Sequence, residues 1–285
     1  MPKNMLGPLF ILIASVLWSF SGVGVRFMPW GSFAIISVRG LFAALTIAII
    51  QRQWKVKLTL PTVGAALCIV ATSTLFVTAN QLTTAANAIV LQYTAPIYVL
   101  IISIIVTKMK PRRADIITIV LALLGISLFF IDHLGRGALI GDMLALLSGL
   151  TMAGIFFLSG MPGANPRDTV FLGCALSALL LPALFFEPQV IYAGPIPWVV
   201  VILLGIFQLG LAYCFFAKGI KLTGPVTASI ICAAEPILNP IWVLLLTGET
   251  PGMLSIIGAV VVIGTICWYN AVTAKQEYRV REAEG

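Results

Sequence analysis

Ala88 to Pro111 reads AIVLQYTAPIYVLIISIIVTKMKP, and Ala228 to Pro251 reads ASIICAAEPILNPIWVLLLTGETP. The two stretches align without a gap. Each carries a proline in the middle of a long apolar run, Pro96 and Pro236, and each ends at a proline that opens the next run, Pro111 and Pro251. A membrane-spanning helix takes roughly 20 apolar residues to cross a hydrocarbon core about 30 Å thick, and both stretches meet that length. One such run reads as a span, and two matching ones read as an internal duplication of spans.

Working outward, runs punctuated by charge, Pro or Gly give ten segments, at 8–27, 33–50, 62–80, 85–106, 114–131, 139–158, 168–186, 197–217, 225–246 and 253–272. The composition requires something of this kind. Of 285 residues, 60% are hydrophobic and 9% charged, and the mean hydropathy is +1.08. A soluble domain carries about 25% charged residues, so this chain is solvated by a lipid bilayer. The first apolar run is too long for a cleavable signal and continues directly into further spans.

The basic residues test the segment map. With a cytoplasmic amino terminus, one side receives Lys3, Arg52, Lys55, Lys57, Lys108, Lys110, Arg112, Arg113, Arg167, Lys218, Lys221, Lys275, Arg279 and Arg281, which is 14 of the 17 Lys and Arg residues. The other side holds Arg136, with Arg26 near a helix end and Arg39 inside the second segment. That asymmetry is the positive-inside pattern, and it places both termini in the cytoplasm of a multi-pass protein of the cytoplasmic membrane. The net charge of +7 therefore reflects topology. No basic face interleaved with aromatics points to nucleic acid. Trp30, Trp54, Trp198, Trp242 and Trp268 fall near segment ends, where amphipathic rings favour headgroups, and Trp18 alone sits mid-span.

The repeat divides the chain into residues 1–137 and 138–285, five spans each, which together make one transport unit. Five is odd, so the second copy enters the membrane from the opposite side. The expected fold is an all-α integral membrane protein of two inverted five-helix repeats, an architecture common among alternating-access transporters.

Within the spans, Glu235 is the sharpest residue, beside Pro236 at the middle of the ninth segment. A charge at the bilayer centre costs roughly 2.5–3.5 kcal/mol on insertion scales. This carboxyl therefore faces a wet cavity, finds a partner, or is protonated and so serves proton coupling. Alternatively it bonds the backbone at a Pro kink. Pro96 cannot donate to the carbonyl of Gln92, nor Pro236 to that of Cys232, nor Pro240 to that of Pro236. The freed carbonyls suit a broken-helix site or a simple packing kink. Arg39, in SVRGLFAAL, snorkels outward, pairs with a carboxylate, or attracts an anionic substrate group. Trp18, Ser15, Ser19, Gln92, Tyr93, Tyr98, Gln208, Tyr213 and Asn239 complete the polar and aromatic set near mid-depth. Ser15, Ser19 and Gly22 share one helical face, which lines a cavity or permits close packing.

Cys68, Cys174, Cys214, Cys232 and Cys267 are scattered singly in apolar runs, without metal-ligand or redox spacing. There is no GxxxxGK[ST] loop and no HExxH. The single histidine, His133, lies in an external loop beside Asp132. No nucleophile has a base at depth. Neither an enzyme nor a bound cofactor or metal is expected. The small-residue stretch at 137–141 lies too near a segment end to argue for a dimer.

LWSFSGVGVRF in the first segment, Arg39 early in the second, the Ala79 to Pro96 stretch, and AAEPILNPIWVLLLTGETP near the end resemble the EamA-type permeases of the drug/metabolite transporter superfamily. The resemblance covers nearly the whole chain. It implies a proton-linked or ion-linked exporter or exchanger of small metabolites with a cavity between the halves, and Glu235 and Arg39 match the family's characteristic charged positions. Ala95 stands where the second half has Glu235, so any coupling carboxylate is asymmetric. The expectation is a secondary active transporter of small organic molecules, amino acids among them. An uncoupled channel or facilitator and a multidrug exporter are the alternatives.

Overall fold

The computed structural model describes residues 6–52, 55–108, 112–133, 138–159, 161–192, 194–223, 231–232, 234–248, 250 and 252–284. Among these residues the regular structure is helical, with no strand. Helix α1 runs Leu6–Trp18 and resumes as Ser21–Arg26, α2 is Ser32–Gln51, and α3 is Leu60–Leu82. Helix α4 comprises Ala85–Gln92 and Ala95–Thr107, α5 is Arg113–His133, and α6 is Leu139–Ser159. Helix α7 is Pro166–Ala178 with a 3-10 extension Leu181–Phe186. Helix α8 joins Pro195–Leu203, a π-helical stretch Leu204–Leu211, and Ala212–Thr223. Helices α9, Ala234–Thr247, and α10, Met253–Glu284, follow. Among the described residues, seven helices, α1 to α4 and α6 to α8, are long and apolar enough to cross a membrane. Helix α9 and the Met253–Tyr269 part of α10 are shorter apolar helices. Ile116 to Ile131 of α5 carries no charge.

Local chemistry sets most boundaries. Thr59 caps α3 by accepting the Thr62 N–H at 3.3 Å, Thr84 caps α4 by accepting the Asn87 N–H at 3.1 Å, and Asn165 accepts the Arg167 N–H at 3.2 Å. Pro61, Pro166 and Pro195 occupy the opening turns of their helices, where the missing N–H is no loss. Arg52 and Lys108 end α2 and α4 in the left-handed conformation, with φ of 51° and 53°.

The burial pattern is the reverse of a soluble protein's. Large aliphatics face outward, with Ile105, Leu245 and Val260 each 68% exposed, and a monomeric soluble protein rarely shows so much contiguous apolar surface. The interior is instead rich in small side chains such as Ala14, Ala34, Ala65, Ala79, Ala145 and Ser148. Lipid tails are as apolar as leucine, so helix association depends on close packing, which small residues permit. A Cβ on Gly205 of α8 would lie 2.7 Å from the Phe42 Cβ and 2.8 Å from the Arg39 carbonyl of α2. The packing pairs α3 with α6, α1 with α8, α5 with α10, α2 with α7 and α8, α3 with α7, α4 with α6 and α9, and α1 with α9.

Several features depart from the sequence reading. The first segment is interrupted at Ser19–Phe20, because Ser19 Oγ donates to the Val16 carbonyl at 2.7 Å and accepts from the Trp242 indole of α9 at 2.9 Å. Helix α9 runs through Pro240 unbroken. A single proline removes one hydrogen bond but need not end a helix already nucleated around it. His133, expected in an external loop, belongs to the last turn of α5. The last helix, expected to stop near 272, continues to Glu284 as one helix. Trp54, Pro111, Arg136, Pro251 and, within the segment expected at 225–246, residues 225–230 and 233 lie outside the described residues.

Gly205→Ala should cost about 1–3 kcal/mol, since its Cβ meets backbone on the neighbouring helix, whereas Gly264→Ala, with nothing within 4 Å, should not destabilise. Thermal unfolding of the two purified variants in detergent checks the contrast. Equal midpoints would remove the close-packing account.

Candidate functional site

Helix α4 breaks where Pro96 cannot donate to Gln92. The Tyr93 and Thr94 residues form a turn, and Pro96 opens the second piece. The freed Gln92 carbonyl faces Gly149 of α6, where a Cβ would lie 2.8 Å from it. Thr94 Oγ1 donates to the Leu91 carbonyl at 2.6 Å and so satisfies part of the opened turn. The break aims Tyr93 across to α9, where its hydroxyl donates to the Glu235 carboxylate. Both residues are buried, and Glu235 is 7% exposed. Glu235 sits in the first turn of α9 beside Pro236. The carboxyl at depth thus has a partner, and the partner is a phenol from the other half of the chain.

Tyr213 of α8 stands in electrostatic reach of both Glu235 and Arg39. Trp18, the last residue before the α1 break, packs edge-on against Tyr213 with ring centroids 5.4 Å apart, and at a tilt against Phe216 at 5.2 Å. Gln208 lies on the π-helical stretch and makes a long 3.5 Å contact from its amide to the Trp18 carbonyl, while its Oε1 is buried without a hydrogen bond. A π-helical stretch inside an α-helix often marks a functional position. Arg39 is 3% exposed, so it does not snorkel. No hydrogen bond or ion pair joins its guanidinium to any described residue, and its Nε is buried without a partner. The carboxylate pairing held open for it is therefore not formed among the described residues.

Trp18, Arg39, Tyr93, Gln208, Tyr213 and Glu235 accordingly gather where α1, α2, α4, α8 and α9 meet. The rest of the expected set serves otherwise. Ser19 bonds Trp242, whose ring stacks on Phe20 at 5.1 Å. The Asn239 amide reaches Ser21 Oγ at 3.4 Å, and a Cβ on Gly22 would lie 2.4 Å from its Oδ1. Ser19 and Gly22 thus pack against α9, while Ser15 Oγ donates to the Ile11 carbonyl of its own helix at 3.1 Å. Gln92 contributes its carbonyl to the α4 break. Tyr98 is half-buried, beyond the break, and bonds to Thr94.

Sequence reading missed a second cluster, at the end of the bundle where α1 finishes and α6 starts. Arg26 Nη2 donates to the Thr83 carbonyl, and Thr83 Oγ1 donates to Asp142 Oδ1 at 2.7 Å. Nearby, the Gly31 N–H donates to Glu187 at 2.7 Å, Gln81 donates to the Trp30 carbonyl at 2.8 Å, and Trp30 packs edge-on against Trp198. Asp142 is fully buried in the first turn of α6, and the sequence carried no signal of that burial, since an acid is common at a helix start.

The EamA-like transporter family profile matches residues 5–131 and 139–271. The chain is 29% identical over 297 residues to an uncharacterized transporter, YwfM, of Bacillus subtilis (strain 168), covering 96% of this chain and 97% of that protein. A solved crystal structure, 18% identical, superposes with a TM-score of 0.64 over 94% of this chain and 98% of its own, which shows likeness of fold. With these matches spanning both halves, the chain belongs to the EamA-like transporter family, and it is a multi-pass membrane transporter of the drug/metabolite type and not an enzyme.

Proposed function

We propose that the protein is a secondary active transporter that moves small organic metabolites across the cytoplasmic membrane by alternating access, in export or exchange. In this reading all of α1 to α10 span the bilayer with both termini cytoplasmic, as inverted five-helix repeats over residues 1–137 and 138–285. The observation that carries it is the exchange symmetry of the packing. Replacing each helix by its counterpart five places along turns α3–α6 into α8–α1, α2–α8 into α7–α3, and α4–α6 into α9–α1. All six are contacts in the bundle, while α2–α7, α4–α9 and α5–α10 map onto themselves. The separate family matches to 5–131 and 139–271 support the same division, and the lopsided Lys and Arg distribution supports the orientation.

Two halves with one packing scheme in opposite orientations can exchange conformations, which opens the centre to each side in turn. The cluster around Arg26, Thr83 and Asp142 then lies on the external side, where its bonds tie the ends of α1 and α3 to the start of α6. The Tyr93–Glu235 hydrogen bond lies on the α4–α9 seam. Rocking of the halves breaks it, and Glu235 becomes free to take a proton or a cationic substrate group. That makes Glu235 the coupling residue and a proton the coupling ion. Amino acids are the first substrate class to test.

Counterflow of labelled amino acids in proteoliposomes tests the cycle without a driving ion. Saturable counterflow is expected from wild type. Glu235→Gln should keep counterflow but lose the pH dependence of net uptake, and unchanged net transport and pH dependence in that variant would end the coupling role. Tyr93→Phe leaves a buried acceptor one donor short and should destabilise the protein by about 1–3 kcal/mol. Flux without saturation or counterflow would instead indicate a facilitator.

Orientation is checked by single cysteines at the exposed positions Lys57 and Tyr192, with the native cysteines replaced. An impermeant maleimide should label Tyr192→Cys in intact cells, and Lys57→Cys only after permeabilisation. The reverse pattern would invert the topology.

A further inference from the structure

The transport reading above leaves the substrate's chemistry open, and Arg39 narrows it while resting on that reading. We infer that the Arg39 guanidinium is the binding site for a carboxylate carried by the transported molecule. Arg39 lies in the second turn of a helix of 20 residues, 3% exposed, and without a hydrogen bond or ion pair among the described residues. A buried guanidinium is ordinarily held by a carboxylate, because an unpaired charge in a low-dielectric interior is heavily penalised.

The buried acids among the described residues are engaged elsewhere. Asp142 accepts from Thr83, Asp168 from the Lys57 N–H at 3.2 Å, Asp115 from Arg112, and Glu235 from Tyr93. None of the described acids completes Arg39, which leaves that place to an acid brought by a ligand. The setting is built to receive one. The Arg39 backbone is held against Gly205 of α8, so the guanidinium projects from a fixed base. Tyr213 is in electrostatic reach of both Arg39 and Glu235, while Glu235 accepts its hydrogen bond from Tyr93 and forms no ion pair with Arg39 among the described residues. Gln208, three residues beyond Gly205, has a buried oxygen with no donor, suited to a hydroxyl or ammonium on the same ligand. The planar fork of an arginine binds a carboxylate through two parallel N–H bonds. The carboxylate could belong to an amino acid or to a simple organic acid, and a binding comparison separates them.

The test is the thermal unfolding midpoint of the purified full-length protein in detergent at fixed ionic strength. The ligands are the common L-amino acids, their decarboxylated amines, their deaminated acids, and inorganic phosphate. At least one carboxylate-bearing compound should raise the wild-type midpoint, and its amine should not. Protection by the deaminated acid as well identifies an organic-acid site, and protection by the amino acid alone identifies a zwitterion site. Arg39→Met should weaken the protecting ligand roughly thirty-fold or more, as loss of one partner of a buried charge pair does, and Arg39→Lys should weaken it less. Without ligand, Arg39→Met should unfold no earlier than wild type, because no bond in the apo protein is lost.

A lower apo midpoint in both Arg39→Met and Arg39→Gln, or failure of both to fold, would make Arg39 structural and overturn the inference. So would equal protection of Arg39→Met and wild type, protection by phosphate or amines alone, or no protection by any compound. Detergent offers no compartments, so carboxylate-dependent protection without counterflow would retire the transport cycle and keep the site. Counterflow of amines untouched by Arg39→Met would do the opposite.

Discussion

A carboxyl group buried in a lipid-solvated bundle must be given its donor by the bundle, because hydrocarbon supplies none. Here the donor is the Tyr93 hydroxyl, carried across to Glu235 by the break in α4. Much of the surrounding structure follows from that requirement. The break exposes the Gln92 carbonyl, which needs a covering helix, and α6 comes close enough to cover it because Gly149 has no side chain. The same economy of volume runs through the interior. Alanine, serine and glycine face inward and the long aliphatics face lipid, so backbone geometry, more than a leucine-rich core, holds the helices in register.

What lipid imposes on composition was legible in the sequence. The apolar runs, the proline pairs Pro96 with Pro236 and Pro111 with Pro251, and the charge asymmetry of the loops are all one-dimensional signals. The break at Ser19–Phe20 was not legible, since nothing in LWSFSG is a helix breaker and the interruption depends on Trp242 of a distant helix. The π-helical stretch at Leu204–Leu211 is likewise a tertiary accommodation of one extra residue, set where Gly205 and Gly210 press against α2. Pro240 misled in the other direction, as a breaker by rule that the helix absorbs.

The candidate site shows the same limit at finer grain. Depth can be estimated from position within a span, and four residues chosen on that basis, Trp18, Tyr93, Tyr213 and Glu235, come together in the fold. Azimuth cannot be read that way when neither face of a helix is water-exposed, because the hydrophobic pattern that would mark a face is then missing. Ser19 and Asn239 have the same depth and polarity as the cluster residues, yet they serve the α1–α9 contact. Asp142 escaped notice for a related reason. It stands at a helix start, where an acid is unremarkable, and only the fold reveals that Thr83 and Arg26 come to it.

The matched stretches of the two halves differ at the hydrogen-bonded pair. In the gapless alignment Ala95 corresponds to Glu235, and Tyr93 to Ala233. The donor lies in the first half of the chain and the acceptor in the second, so neither half holds a complete pair. A hydrogen bond confined to one repeat would survive any rigid rotation of that repeat. One divided between α4 and α9 is strained by every rotation of the halves against each other. In the proposed cycle, that division ties the protonation or ligation of Glu235 to the relative position of the halves, which is the linkage a coupled carrier needs.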